Sequence, residues 1–163
     1  MSSPDRRTLL VMLAALGGCG FTPAYAPSGP AAGLQGAIRA ADPTDRNAFD
    51  LVDRLEERLG RPQAPRFALT YRIETDAIGV GITPENATIR YNLTGSVDWV
   101  LTENATGKRL AGGRVDSFTS YSATGSTVAG LAAEEDAATR LMRILADQIV
   151  SRLLATSATW AAG

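Results

Sequence analysis

From Phe67 to Glu74 every second residue is apolar: Phe67, Leu69, Tyr71 and Ile73 alternate with Ala68, Thr70, Arg72 and Glu74. This is the two-residue period of a strand, and it places all the apolar side chains on one face. The pattern restarts after Gly79–Glu85, which reads as a turn region. There Ile89, Tyr91, Leu93, Val97 and Trp99 share one face, and Arg90, Asn92, Thr94, Ser96 and Asp98 share the other. Such a sheet has one face wet and one that must be covered.

Two helical segments are available as the cover. Asp42 is placed to cap the first, with Pro43 at its first position and Asp45 in its first turn. Ala48, Leu51, Val52, Leu55 and Leu59 then fall on one stripe, and Gly60 and Pro62 end it. The second lies near the C-terminus, where Leu131, Ala138, Leu141, Met142, Leu145, Ile149 and Leu153 form an apolar stripe. Glu134, Glu135 and Asp136 come early in it and Arg143 and Arg152 late, as the helix dipole favours.

Between the helices, Glu103–Lys108 reads as a hairpin turn with Gly107 at a positive φ. The return strand runs from Arg109 to about Tyr121, with a polar stretch from Ser117 to Thr127. Leu110 and Val115 are out of phase within it, which predicts a bulge at Gly112-Gly113. Leu34 to Ala41 is one more strand candidate. The order strand, helix, three strands, helix predicts an α+β fold. Its form is a two-layer sandwich: a small, mostly antiparallel sheet with two helices packed on one face.

The start of the chain has a different character. Arg6 and Arg7 precede an apolar run from Leu9 to Leu16, followed by Gly17, Gly18 and Cys19. A positive start, a short apolar run and small residues are the order of a secretory signal. The run is far below the roughly 20 residues that span a bilayer. Cys19 is the only cysteine, and Leu16-Gly17-Gly18-Cys19 resembles the lipobox of bacterial lipoproteins. That resemblance implies a signal peptide over 1–18, acylation of Cys19, and a Gly/Pro/Ala-rich tether over 19–33. A single domain is expected over 34–163. Gly20 stands where lipoproteins kept in the inner membrane often carry Asp, which points to the outer membrane. Arg6-Arg7 leaves both general and twin-arginine export open.

The composition narrows the chemistry. There is no histidine, the commonest general base and zinc ligand. There is no glycine loop with a lysine for phosphate. No catalytic residue, cofactor or metal site is expected, and Glu134, Glu135 and Asp136 read as a solvated helix start. The net charge of −1 carries no signal for nucleic acid. The arginines stand out: Arg66, Arg72, Arg90, Arg109 and Arg114 lie on or beside the strands, with Lys108 at the hairpin. Arg72 and Arg90 should project from the wet face, where guanidinium forks suit phosphate or carboxylate. The other reading is ordinary cross-strand charge, with Glu74, Asp98 and Asp116 as partners.

A family resemblance joins these parts. Its residues are Cys19-Gly20-Phe21-Thr22-Pro23 with Tyr25, Ser120-Tyr121, Asp136-Ala137-Ala138-Thr139-Arg140, and Leu145 through Leu153. Together they resemble the LptE family, small lipoproteins of lipopolysaccharide assembly, in its alphaproteobacterial-type form. The resemblance implies a non-enzymatic protein with helices on one side of a small sheet. It implies a plug seated in an LptD-like outer-membrane β-barrel, aiding barrel assembly, with lipopolysaccharide as a second contact. It places the protein at the periplasmic face of the outer membrane, attached to that membrane through the lipid anchor. Arg72 and Arg90 would then be ligand contacts. An auxiliary binding lipoprotein of another envelope lipid-transport complex is the alternative at this point.

Overall fold

The structure is a computed structural model that describes residues 29, 31, 33–82, 88–123 and 126–160. Cys19 and the expected signal lie outside the described residues. The elements are β1 (Ile38–Ala40), α1 (Arg46–Leu59), β2 (Phe67–Ile82), β3 (Thr88–Glu103), β4 (Arg109–Ser122) and α2 (Thr127–Trp160). They form one four-stranded sheet in the order β1-β2-β3-β4. β1 runs parallel to β2 across the α1 crossover, and the other pairs are antiparallel. This is the expected α+β sandwich.

The core is the layer between the dry sheet face and the helices. Phe67, Leu69, Leu93, Val97, Trp99, Leu101 and Val115 face it from the sheet. Leu51, Leu55 and Leu59 of α1 meet them, with Leu141, Met142, Leu145, Ile149, Val150 and Leu153 of α2. Trp160 closes the layer edge-on against Phe67, with ring centroids 5.4 Å apart. Gly95 lets α2 come close: a Cβ there would sit 2.8 Å from Leu141 Cδ2. No helix among the described residues is long and apolar enough to cross a membrane.

Five local expectations change. First, the α1 cap is Asp45, not Asp42. Its carboxylate accepts from the Ala48 amide at 2.8 Å, and the helix begins at Arg46. Asp45 itself has the extended backbone of an N-cap, while residues 41–44 precede the helix, so the short Asp45 side chain reaches the orphan amide. Second, β1 is three residues long, and residues 33–37 turn instead. The Leu34 amide bonds Ala31 O and the Ala37 amide bonds Leu34 O. Ala31 is fully buried, so packing begins inside the segment expected to be tether.

Third, β2 runs through Gly79 and Gly81 to Ile82. Residues 83–87, the rest of the expected turn region, lie outside the described residues. Gly79 pairs with Tyr91, and a Cβ on it would lie 2.8 Å from Thr88 Cγ2. The glycine makes room across the ladder and does not mark a turn. Fourth, Gly112 and Gly113 pair regularly with Val100 and Trp99. The register shifts at Leu101/Thr102, where Ala111 and Arg109 are the partners and Leu110 is the extra residue. The bulge therefore sits at Leu110, and that is why Leu110 and Val115 are out of phase. Fifth, α2 starts at Thr127, and Leu131 is exposed. The stripe that is buried gains Ala137, Ala146, Val150 and Ser157.

Candidate functional site

Because both helices lie on one side, the other sheet face is open. Alternate residues of β2, β3 and β4 present Thr70, Arg72, Glu74 and Asp76, then Asp98, Ser96, Thr94 and Asn92, then Arg114, Asp116, Phe118 and Ser120. Arg114 is the centre of this face. It donates to Asp98 Oδ2 at 3.0 Å, to Glu74 Oε2 at 3.3 Å and to Ser96 Oγ at 2.7 Å. It thus ties all three long strands. A shallow groove beside it is lined by Glu74, Asp76, Thr94, Ser96, Asp116 and Phe118. Phe118 is 62% exposed on this face, and Ile78, opposite Asn92, is a second exposed apolar side chain on it.

Arg72 and Arg90 both lie on this open face, as expected. They do not form one site. Arg72 stands opposite Asp98 and Arg90 opposite Gly81 and Ser122. The eight residues from Arg90 to Asp98 along β3 span roughly 27 Å at ~3.4 Å each. Arg72 pairs with Glu74 at 3.5 Å and is 80% exposed. Glu134, Glu135 and Asp136 are exposed on α2; Asp136 pairs with Arg140 at 2.9 Å and Glu135 with Arg46 at 3.7 Å. Among the described residues no group of three or more His, Cys, Asp or Glu is placed to hold a metal ion.

Sequence reasoning missed the sheet edge. β4 is the last strand of the sheet, so one side of its backbone has no strand partner. Three side chains of α2 reach over it. Arg152 donates to Arg114 O at 2.6 Å, Gln148 to Asp116 O at 3.2 Å and Arg140 to Ser120 O at 3.5 Å. The accepting carbonyls all belong to even-numbered residues, the ones whose backbone groups point away from β3. The signal in the sequence was the spacing of Arg140, Gln148 and Arg152 in multiples of four, which puts these three polar residues on one row beside the apolar stripe.

The helices are joined by charge at their outer surface. Arg54 donates Nε and Nη2 to the two Asp147 oxygens at 3.1 and 3.0 Å, and Nη1 to Glu57 at 2.8 Å. Arg58 adds a bond to Asp147 at 2.7 Å. Asp147 and then Glu57, through these hydrogen bonds, push the Arg54 pKa above its ordinary value. Thr139 bonds Asp50 at 2.8 Å further along.

The same architecture occurs in solved bacterial lipoproteins. A Caulobacter crescentus protein described as a lipoprotein superposes with a TM-score of 0.64 at 23% identity, over 85% of this chain and 99% of that one. Rare lipoprotein B from Shewanella oneidensis gives 0.59 at 13%, over 77% and 97%. Lipoprotein B from Nitrosomonas europaea gives 0.52 at 14%, over 77% and 86%. The class is therefore a two-layer α+β fold shared with small bacterial lipoproteins. No curated protein matches the chain. The model of the lipopolysaccharide-assembly family LptE matches residues 37–153, and the chain belongs to that family.

Proposed function

We propose that the protein is an outer-membrane lipoprotein, acylated at Cys19, that plugs an LptD-like β-barrel and assists its assembly and the delivery of lipopolysaccharide. The observation that carries this reading is the open sheet face. It presents Thr, Ser and Asn with charges that largely compensate around Arg114. A polar barrel lumen is a surface of the same kind, and alternation makes lumen-facing strands polar. Membership of the lipopolysaccharide-assembly family supports the same reading. Arg72 and Arg90, being far apart, would contact separate anionic groups, and the protein works by binding with no reaction of its own.

The test is isolation of the tagged full chain from native outer membranes, followed by native mass spectrometry. A one-to-one complex with a large β-barrel and an acylated Cys19 is expected. Recovery without any barrel overturns the plug reading. The arginines are tested apart from it: Arg72→Gln with Arg90→Gln should weaken lipopolysaccharide capture while the melting curve holds. Unchanged capture would leave these residues as solvated charge.

A further inference from the structure

The two edges of the sheet are treated differently. The β4 edge is covered by Arg140, Gln148 and Arg152 of α2. At the other edge β1 covers only the start of β2, pairing Ile38–Ala40 with Phe67–Leu69. The Phe67 amide donates to Ala37 O at 3.0 Å, and Leu69 O accepts from the Ala41 amide at 2.8 Å. Both residues are odd-numbered, so the odd residues of β2 aim their backbone groups outward and the even ones aim theirs at β3. Tyr71 is the last of them beside this segment, its hydroxyl donating to Ala41 O at 3.1 Å. Beyond it β2 continues to Ile82. Ile73, Thr75, Ala77 and Gly79 thus each turn an N–H and a C=O outward, and among the described residues nothing bonds these groups.

Among the described residues nothing shields this stretch. Every residue from Glu74 to Val80 is exposed, so neither helix covers it. Sheet edges are commonly guarded by proline, lysine or a bulge. Ile73–Gly79 has no proline and no lysine, and the register shifts only from Gly79 onward. The stretch spans roughly 24 Å at ~3.4 Å per residue. A row of amides and carbonyls at strand spacing is matched by one kind of ligand, another extended backbone.

The side chains beside the edge select among extended partners. A second copy of the chain, pairing antiparallel, engages all four outward residues only when centred on Asp76, which sets Asp76 against its own copy. Centred on Thr75, it sets Glu74 against Asp76 twice. Like charges directly opposite destabilise a strand pair. Glu74 is already paired, with Arg114 at 3.3 Å and Arg72 at 3.5 Å. Thr94 Oγ1 donates to the Asp76 carbonyl at 3.1 Å, and the Asp76 carboxylate has no ion pair among the described residues. A cation opposite it would supply one. We propose that this edge takes up one extended segment of the barrel partner, which adds to the sheet in line with β1 and sets a basic side chain against Asp76. The proposal rests on the plug reading: the open face assigned to the lumen borders this edge, so one partner can hold both.

The experiment isolates the tagged full chain with its barrel from native outer membranes and compares amide exchange in the complex with that of the chain alone. In the chain alone the even amides of β2, bonded to β3, should exchange slowly and those of Ile73, Thr75, Ala77 and Gly79 quickly. In the complex these four should slow by about tenfold or more. Thr75→Pro and Ala77→Pro each remove an outward N–H and leave the ladder to β3 intact. Each should lower the recovery of barrel about tenfold, with a melting curve equal to the parent's. Asp76→Lys leaves the backbone as it is and should lower recovery about fivefold. If a proline variant melts early, the exchange comparison and Asp76→Lys still decide.

Outward amides that exchange as fast in the complex as in the chain alone overturn the proposal. So does full recovery of barrel by the folded proline variants or by Asp76→Lys. Protection of the outward amides in the chain alone, growing with its concentration, would assign the edge to a second copy and overturn it too. Failure of the plug reading is a separate result: the parent chain itself would come away without a barrel, and the edge proposal would fall with it.

Discussion

A Cβ placed on Gly95 would meet Leu141 Cδ2 at 2.8 Å and Leu145 Cδ1 at 3.3 Å. The long helix therefore rests on the sheet at the one position of β3 that has no side chain. Gly95→Val should lower the unfolding free energy by about 1–3 kcal/mol through overpacking. Chemical denaturation with an unchanged slope would check it. Stability equal to the parent would mean that α2 shifts without cost.

Asp45 and Asp42 can be told apart by stability. Asp45→Ala removes the cap on the Ala48 amide and should cost about 1 kcal/mol. Asp42→Ala breaks only an exposed pair with Arg39 at 3.4 Å and should cost under about 0.5 kcal/mol. Thermal melts of the two variants make the comparison.

Asp147 receives two arginines across the helix interface, Arg54 in a forked arrangement. Asp147→Ala leaves both guanidinium groups without this acceptor. The site is partly exposed, so solvent screening keeps the expected loss small, a shift of the melting curve by a few degrees at most. A double-mutant cycle with Arg54→Met should return a coupling of the same order, diminished by salt. Zero coupling would show that apolar packing alone joins α1 to α2.

Thr119 is buried on the dry face and donates to Ala137 O at 2.9 Å. It replaces an apolar side chain so that the end of β4 holds the early turns of α2. Thr119→Val keeps the shape and loses that bond, with an expected cost of about 1 kcal/mol. Hydrogen exchange should quicken first in residues 127–140.

Tyr71 and Tyr121 hold their phenolic protons above the ordinary range. Burial is the main cause in both; nearby Asp45 and Asp42 add to it for Tyr71, and Glu134 and Tyr91 for Tyr121. The folded state thus keeps these protons longer than the unfolded chain does. Stability from this source is constant below about pH 10, the unfolded tyrosine value, and is lost as pH rises through the folded pKa values. Tyrosinate absorbance should appear at higher pH in the folded chain than in denaturant. Tyr71→Phe with Tyr121→Phe should flatten the alkaline loss of stability. Coincident titrations would sink this account.

The alternation at Phe67–Ile73 and Ile89–Trp99, with the stripes of Leu51–Leu59 and Leu141–Leu153, was enough to determine the layers and the dry face. Period and apolarity are local properties of the chain, and burial acts on them directly. The positions of Arg72 and Arg90 on the open face followed from the same alternation. What the tertiary structure decided depends on distance between segments. Asp45 caps α1 because the helix begins at Arg46, three residues beyond the start expected from Asp42. Gly79 is a ladder residue that leaves room for Thr88, and Leu110 absorbs the bulge expected at Gly112-Gly113. The separation of Arg72 from Arg90 required the strand register. So did the cover of Arg140, Gln148 and Arg152 over β4. Each joins residues far apart in sequence, and only the folded backbone fixes how near such residues come.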